Sequence, residues 1–427
     1  MVRSKENGAK FIKPHTRVNP TILIATTCRW FPTARLGVAL AQAGFAVKAV
    51  CPRGHALQGS SAACETHTYR GLAPLTSFTD AIRATNPDLI LPGDDLATQH
   101  LYALHYRAGD RSEARLIREL IERSLGSPRS FPTAFARTNF MELARQEGVR
   151  APKTAAISNE SDLREWVAQA GFPTVLKADR TFGGYGVRVV HTLEEAERAF
   201  RILGAPPRVA RAAKRFLIDG DAALVWPTLL RRRPVLNGQA FVAGSEATSA
   251  VVCWKGTVLA SLHFKVLRKA YPTGPATVVR LIDDAEISAA TEKMVRRLEL
   301  SGMHGFDFML DADTGSAHLI EMNPRATQVG HLALGPGRDL AAALYAAVAG
   351  RSLPATPRVT EKDTIALYPQ EWIRDPNSPF LRSAYHDVPW EEPSLVRVCA
   401  AEYQKQRAWY AQPGWIETTF RVRVPNP

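Results

Sequence analysis

The sequence predicts an α/β and α+β chain that opens with a parallel sheet. Three observations predict it. Short apolar strands alternate with helical segments over residues 21–91. Residues 236–264 alternate apolar and polar, as antiparallel strands do. A second strand pair, 305–310 and 317–322, is turned at Asp313-Thr314-Gly315. With 427 residues, 45% hydrophobic and 22% charged, the chain is long enough for two or three domains and needs no disulfide or structural metal to fold. The 54 basic against 41 acidic residues leave +13, which favours anionic ligands in general.

Taken in order, residues 1–18 carry a net +4 and read as a basic flexible tail. Residues 21–26 (TILIAT) read as a buried parallel strand, 33–44 as a helix stopped by Gly44, and 45–50 as a second strand. A helix over 77–85 and a strand over 88–91 follow, the strand breaking at Pro92-Gly93-Asp94-Asp95. Ligands of parallel sheets sit beyond the carboxyl ends of the strands, so Asp94 and Asp95 are candidates for substrate contact, with a helix N-cap as the equal alternative. After a linker at 127–130, helices are predicted over 133–147 and 160–170, and a strand over 173–178.

That strand runs into Asp179-Arg180-Thr181-Phe182-Gly183-Gly184-Tyr185-Gly186, then a strand to 191 and a helix over 194–203. Residues 205–235 are basic, net +5, and read as a solvated face. A turn at Lys255-Gly256, a helix over 286–298 and another over 339–349 complete the body. Residues 351–427 hold four of the eight tryptophans and many prolines, and read as a small appended region packed on it. The five cysteines have no CxxC spacing and their odd number argues against a closed disulfide framework, which predicts a reducing, cytoplasmic setting. No apolar run approaches the ~20 residues of a membrane span. No nucleic-acid recognition motif is present.

Three features converge on nucleoside triphosphate chemistry. Lys177 ends a strand just before Gly183, Gly184 and Gly186. Glycine-rich backbone can approach phosphates closely, and the lysine adds a point charge. No GxxxxGK[ST] loop is present. Glu321 and Asn323, two apart on a strand, point to one face, and the neighbouring strand can bring Asp307 beside them. These are hard oxygen ligands, suited to magnesium bridging phosphates. The third feature is the string Glu321-Met322-Asn323-Pro324-Arg325 as a whole.

Residues 19–350 therefore resemble the ATP-grasp superfamily, on the order of these motifs and on that string with Asp307 fourteen residues before Glu321. The resemblance implies a pre-ATP domain over 19–127 and a two-lobed ATP-grasp fold over 128–350, with a glycine-loop lobe at about 150–235 and a metal-site lobe at about 236–350; it does not reach 351–427. It implies that Lys177, Gly183, Gly184 and Gly186 hold ATP phosphates, that Asp307, Glu321 and Asn323 hold Mg2+ (Mn2+ as the alternative), and that Arg325 supports the phosphate or acyl group. Gln239, Ala240, Phe241 and Val242 fall at the adenine hinge, and Glu246 where an acidic residue contacts ribose or substrate. Arg137 stands where the family has a phosphate lysine, and Ala240 where it has an acidic residue. Gly330 occupies the place of the glutamate that biotin-dependent carboxylases direct at bicarbonate, which argues against that chemistry.

The subgroup it most resembles comprises carbamoyl-phosphate-synthase-like proteins and amino-acid ligases. There Thr273-Gly274-Pro275-Ala276 matches a substrate loop and Arg280 an anion-binding arginine, the latter with a catalytic role. The activity implied is an ATP-dependent ligase: a carboxylate is activated as an acyl-phosphate and joined to an amine, releasing ADP and phosphate. Its partners would be small-molecule carboxylate and amine substrates, without nucleic acid or membrane, and a homodimer is compatible with it. A phosphotransferase and a non-catalytic ATP-binding regulator are the alternatives.

Overall fold

The computed structural model describes residues 19–107, 112–179, 184, 186–206, 209, 212–213, 225–231, 233–351 and 357–410. The expected tail 1–18, Phe182, Gly183 and Tyr185 of the glycine loop, and residues 411–427 lie outside the described residues.

The chain begins with β1 (Thr21–Ala25), α1 (Phe31–Gln42), β2 (Ala46–Cys51), β3 (Ala63–Thr68), α2 (Pro74–Thr85), β4 (Leu89–Pro92), α3 (Asp95–Arg107) and α4 (Ser112–Leu125). The four strands form a parallel sheet in the order β3-β2-β1-β4. Both faces are covered, so β1 and β4 are buried throughout and read as unbroken apolar runs. The winding reverses between β1 and β4, which opens a crevice at their carboxyl ends.

A smaller lobe follows: α5 (Phe131–Ala134), α6 (Arg137–Gln146), β5 (Thr154–Ile157), α7 (Glu160–Ala170), β6 (Thr174–Ala178), β7 (Val187–Val190), α8 (Leu193–Leu203) and β8 (Leu236–Ala240). Its antiparallel sheet has the order β5-β8-β6-β7. Asn159 and Thr192 cap α7 and α8 by accepting from the Asp162 and Glu195 amides. The single helix expected over 133–147 is broken at Phe135-Ala136, where Ala136 leaves helical geometry. The break puts Arg137 at the first position of α6.

Residues 241–243 cross into the central sheet, which contains β9 (Gly244–Trp254), β10 (Thr257–Lys269), β11 (Ala276–Leu281), β12 (Gly302–Asp311), β13 (Ala317–Asn323), β14 (Thr364–Ala366) and β15 (Tyr385–His386). The order is β13-β12-β9-β10-β11-β14-β15. The β9–β10 turn places Lys255 (φ 49) and Gly256 (φ 77) both in the left-handed region, the geometry of a tight two-residue hairpin. Here the expectation for residues 351–427 needs correction. They are not merely appended, because β14 pairs with β11 and carries β15 beside it. Three residues of pairing are too few to register as a strand pattern in the sequence.

The central sheet is covered on both sides. One face meets α6 and the helix Ala285–Arg297 around Phe306 and Phe308. The other shares a core with the N-terminal sheet: Ile22, Ile24, Val47 and Ala49 join Ala250, Val252, Leu262 and Phe264, with the helix Leu340–Ala349 between. The boundary expected near 127 thus separates sheets, not cores. Phe264 is fully buried there. Phe264→Ala should lower unfolding free energy by ~3–5 kcal/mol, read as a shift of the urea midpoint. A loss below ~1 kcal/mol would mean the two sheets do not depend on this core.

Candidate active site

The β12–β13 pair carries the oxygen-rich centre. Asp307 lies opposite Glu321 and Gly305 opposite Asn323. The register slips just after Asp307, leaving Ile320 as a bulge, a device that re-aims neighbouring side chains. The Asn323 side-chain amide donates to Asp307 Oδ2 (2.9 Å), and Thr248 Oγ1 on β9 donates to Asp307 Oδ1 (2.9 Å). Burial, and then the Glu321 charge, push the Asp307 carboxyl up to about 6.

Cations from three directions meet this centre. Lys177, on β6, is buried, and burial pushes its ammonium down to about 8 against the pull of Glu321, Asp307 and Glu246. Arg137 reaches from α6 and donates to Glu321 Oε1 (2.5 Å) and Asp179 Oδ1 (2.8 Å). Burial alone would raise the Glu321 carboxyl, but Arg137 and Lys177 outweigh it and hold it below the usual range. Arg325 donates to Asp95 Oδ1 (3.2 Å) and to Asn323 Oδ1 (3.3 Å), and its guanidinium lies 5.1 Å from the Trp30 ring centroid. A cleft opens here, lined by Asp95, Arg137, Asp179, Glu321 and Asn323 among others.

The structure thus brings together Lys177, Arg137, Asp307, Glu321, Asn323 and Arg325. Glu246 lies at the edge, paired with Lys269 Nζ (2.5 Å). Gln239 is buried and donates to Thr154 Oγ1 (3.2 Å), Ala240 ends β8, and Phe241 and Val242 lie on the crossing between lobes. Gly184 (φ 72) reaches the Thr273 turn, where Thr273 Oγ1 donates to its carbonyl (3.1 Å); a Cβ there would stand 1.5 Å from the Thr273 oxygen. Gly186 pairs its carbonyl with the Ala178 amide (2.8 Å).

One expectation is corrected, and one open alternative is decided. Arg280 does not join this cluster. Asp307, Thr248, Phe264 and Leu281 lie opposite one another across β12, β9, β10 and β11, so Arg280, next to Leu281, falls on the other face. It is exposed and donates to Thr364 Oγ1 (3.3 Å). Asp94 is committed to structure: it accepts from Thr26 Oγ1, the Thr27 amide and hydroxyl, and the Ala97 amide, capping α3. Of the Asp94-Asp95 pair only Asp95 faces the site.

Asp179 and Asn237 are the residues that sequence reasoning missed. Asn237 lies opposite Lys177 in the sheet and donates to Asp179 Oδ1 (2.9 Å), while Thr138 Oγ1 donates to Asn237 Oδ1 (2.6 Å). The two-residue step from Lys177 to Asp179, which sets both on one strand face, was the available signal. Among the described residues no three His, Cys, Asp or Glu side chains converge on a metal-sized site; the oxygen set here is two carboxylates and one amide. Among them, too, no helix is long and apolar enough to cross a membrane.

Residues 232–329 match the family model described as ATP-grasp domain. Residues 136–221 match that of the carbamoyl-phosphate synthase L chain, ATP binding domain. Two regions of the chain, on either side of residue 230, are thus similar to ATP-grasp-type nucleotide-binding domains. The two matches run through Arg137, Lys177, Asp307, Glu321, Asn323 and Arg325, so the ATP-grasp region contains the whole cluster. It is similar to a D-alanine–D-alanine ligase of Christiangramia forsetii, 22% identical over 204 residues, which are 44% of this chain and 54% of that protein. It is also similar to a phosphoribosylamine–glycine ligase of Ralstonia nicotianae, 30% identical over 109 residues, 26% of this chain and 21% of that one. The chain spans about half, or less, of the length of these curated relatives. The solved carboxyaminoimidazole ribonucleotide synthase from Aspergillus clavatus, complexed with ATP, has the same fold: TM-score 0.55 at 15% identity, covering 81% of this chain and 80% of that one.

Arg137 neutralises two carboxylates that are themselves largely out of solvent, with side-chain exposures of 10% for Asp179 and 29% for Glu321. Arg137→Met should therefore destabilise the protein by ~3–5 kcal/mol, measured by urea unfolding. An unchanged midpoint would show that the carboxylates find other partners.

Proposed function

We propose that this protein is an ATP-dependent ligase that activates a carboxylate as an acyl-phosphate and joins it to an amine, releasing ADP and phosphate. One observation carries the reading. Asp307, Glu321 and Asn323 present oxygen ligands in a cleft where Lys177, Arg137 and Arg325 converge. The relatives named above are ligases, which supports the reaction type and leaves the substrates open.

The donor set fits magnesium in kind: all three groups are hard oxygen donors, and Glu321 and Asn323 line the open cleft. Asp307, Glu321 and Asn323 would hold the ion, which when bound neutralises phosphate oxygens. The protein's own part is electrostatic and positional. Buried Lys177 supplies charge to the phosphates from the small lobe. Arg325, stacked on Trp30 and braced by Asp95, supplies it from the large lobe, where charge develops on the acyl group. Gly184 and Gly186 bring backbone close, and the crossing at 241–243 joins the lobes that would clasp the nucleotide. A cytoplasmic setting, where ATP is abundant, belongs to the same proposal.

A phosphate-release screen of ATP and magnesium with pairs of amino acids and related acids, followed by mass detection of condensed products, tests the reading. A phosphorylated acid without any amide would favour a phosphotransferase. With a productive pair in hand, Glu321→Gln should reduce turnover by ~100-fold or more, while circular dichroism stays native. Lys177→Ala should raise the ATP requirement far more than Arg231→Ala, because an exposed, screened arginine contributes little. Phosphate release unchanged in a folded Glu321→Gln protein would remove the basis of the proposal.

A further inference from the structure

The three groups read as metal ligands are already engaged by donors of the protein itself. Glu321 Oε1 accepts from Arg137 Nη2 (2.5 Å). Both Asp307 oxygens accept, one from Thr248 Oγ1 and one from the Asn323 side-chain amide, at 2.9 Å each. Asn323 Oδ1 accepts from Arg325 Nη2 (3.3 Å). Glu321 and Asn323 therefore each face a guanidinium. Arg137 is the stronger obstacle to a metal ion. Its side chain is 9% exposed and that of Glu321 29%, so solvent screens their attraction only in part. A divalent cation bonded to Glu321 would set a second positive charge against the same carboxylate. The two cations compete for it, and the resident one is tethered at the first position of α6.

Arg137 also has another partner to take. Nη1 holds Asp179 Oδ1 (2.8 Å), and Asp179 is fixed in turn by the Asn237 side-chain amide (2.9 Å). Nε is buried and has no hydrogen-bond partner among the described residues. Buried donors are rarely left so. Arg137, Asp179 and Glu321 all line the cleft. A guanidinium carries five donors in a rigid fork that suits phosphate oxygens two at a time. Nε and Nη2 form one edge of that fork. Asp179 can thus serve as a pivot: Nη1 stays on it, while Nη2 leaves Glu321 and joins the idle Nε on a single phosphate. A lysine ammonium has no such edge, which gives the arginine at this position a physical purpose.

We infer that Arg137 is a tethered stand-in for the metal ion: without nucleotide it occupies the Glu321 oxygen that the ion needs, and a nucleotide phosphate draws it off. This rests on the reading of Asp307, Glu321 and Asn323 as the metal ligands of a ligase. The ligand set then excludes a free divalent cation and admits one only together with the nucleotide. Arg137 is a positioning residue in this scheme, since it acts on the ion through Glu321. The exchange also keeps the carboxylates matched by positive charge at every stage, by the guanidinium before the nucleotide arrives and by the ion afterwards.

The test uses the full chain and Mn2+ as a spectroscopic probe of the site. Bound Mn2+ is counted by electron paramagnetic resonance, first without nucleotide and then with a nonhydrolysable ATP analogue. Without nucleotide, wild type and Glu321→Gln should bind Mn2+ alike, because the wild-type carboxylate is taken. With the analogue, wild type should gain a tight site that Glu321→Gln lacks. Arg137→Gln, which removes the competing charge, should bind free Mn2+ ~10-fold or more tightly than wild type, and the analogue more weakly. Circular dichroism checks that the compared proteins are folded. The first comparison needs no arginine variant, so it decides alone should Arg137→Gln fail to fold. A tight Mn2+ site in nucleotide-free wild type, absent from Glu321→Gln, would overturn the inference. So would a folded Arg137→Gln protein with wild-type affinity for free Mn2+. Either result leaves the ligase reading standing as long as the analogue and Mn2+ bind together; if they do not, both fall.

Discussion

The architecture depends on one desolvated cation. Arg137 stands at the start of α6 and holds Asp179 of the small lobe with one nitrogen and Glu321 of the central sheet with another. A buried pair of this kind adds little net stability compared with apolar packing, because the desolvation of its members offsets their attraction. What it enforces is geometry: neither carboxylate can turn away without leaving a charge unmet. Lys177 then lies against carboxylates already fixed in place, which hold its ammonium at about 8 against the burial that pushes it down. The loop after β6 and the ligand strand β13 are referred to the same guanidinium.

A second constraint comes from sharing one apolar core between two sheets. The crevice at the ends of β1 and β4 opens directly against β12 and β13, because Ala250 and Val252 of the central sheet pack with Ile22 and Ile24 of the parallel one. Side chains from four elements can therefore meet without a flexible domain interface between them. Asp95 and Arg325, 230 residues apart, pair across this junction. The split fate of neighbours Asp94 and Asp95 follows from helix geometry. The first must cap α3, and the second, on its first turn, is turned toward Arg325.

Much of this was legible in the sequence, for identifiable reasons. The strands of the parallel sheet were visible because burial on both faces forces continuous apolar runs. The Asp307, Glu321 and Asn323 centre was visible because two-residue spacing on a strand is a statement about direction. Arg137 was placed by resemblance, but its role was not, because the helix break at Phe135-Ala136 has no capping side chain to announce it. Arg280 was misplaced for a related reason: position along the chain suggested a substrate loop, whereas its face is decided by register across four strands. Asn237 and Trp30 owe their roles to tertiary neighbours alone, as does β14, whose three residues pair with an edge far away in the chain.

The bond between Arg35 and Asp387 spans 352 residues. Strands β11 and β14 likewise join segments separated by more than eighty positions. Loops of that length close slowly, and their contacts form late. During synthesis the parallel sheet can assemble early, yet the edge of the central sheet and the partner of Arg35 do not exist until residue 387 has emerged. Until then α1 carries a buried-type guanidinium without its carboxylate, on a surface not yet sealed. The contacts that seal α1 and complete the edge of the central sheet are thus among the last to be made.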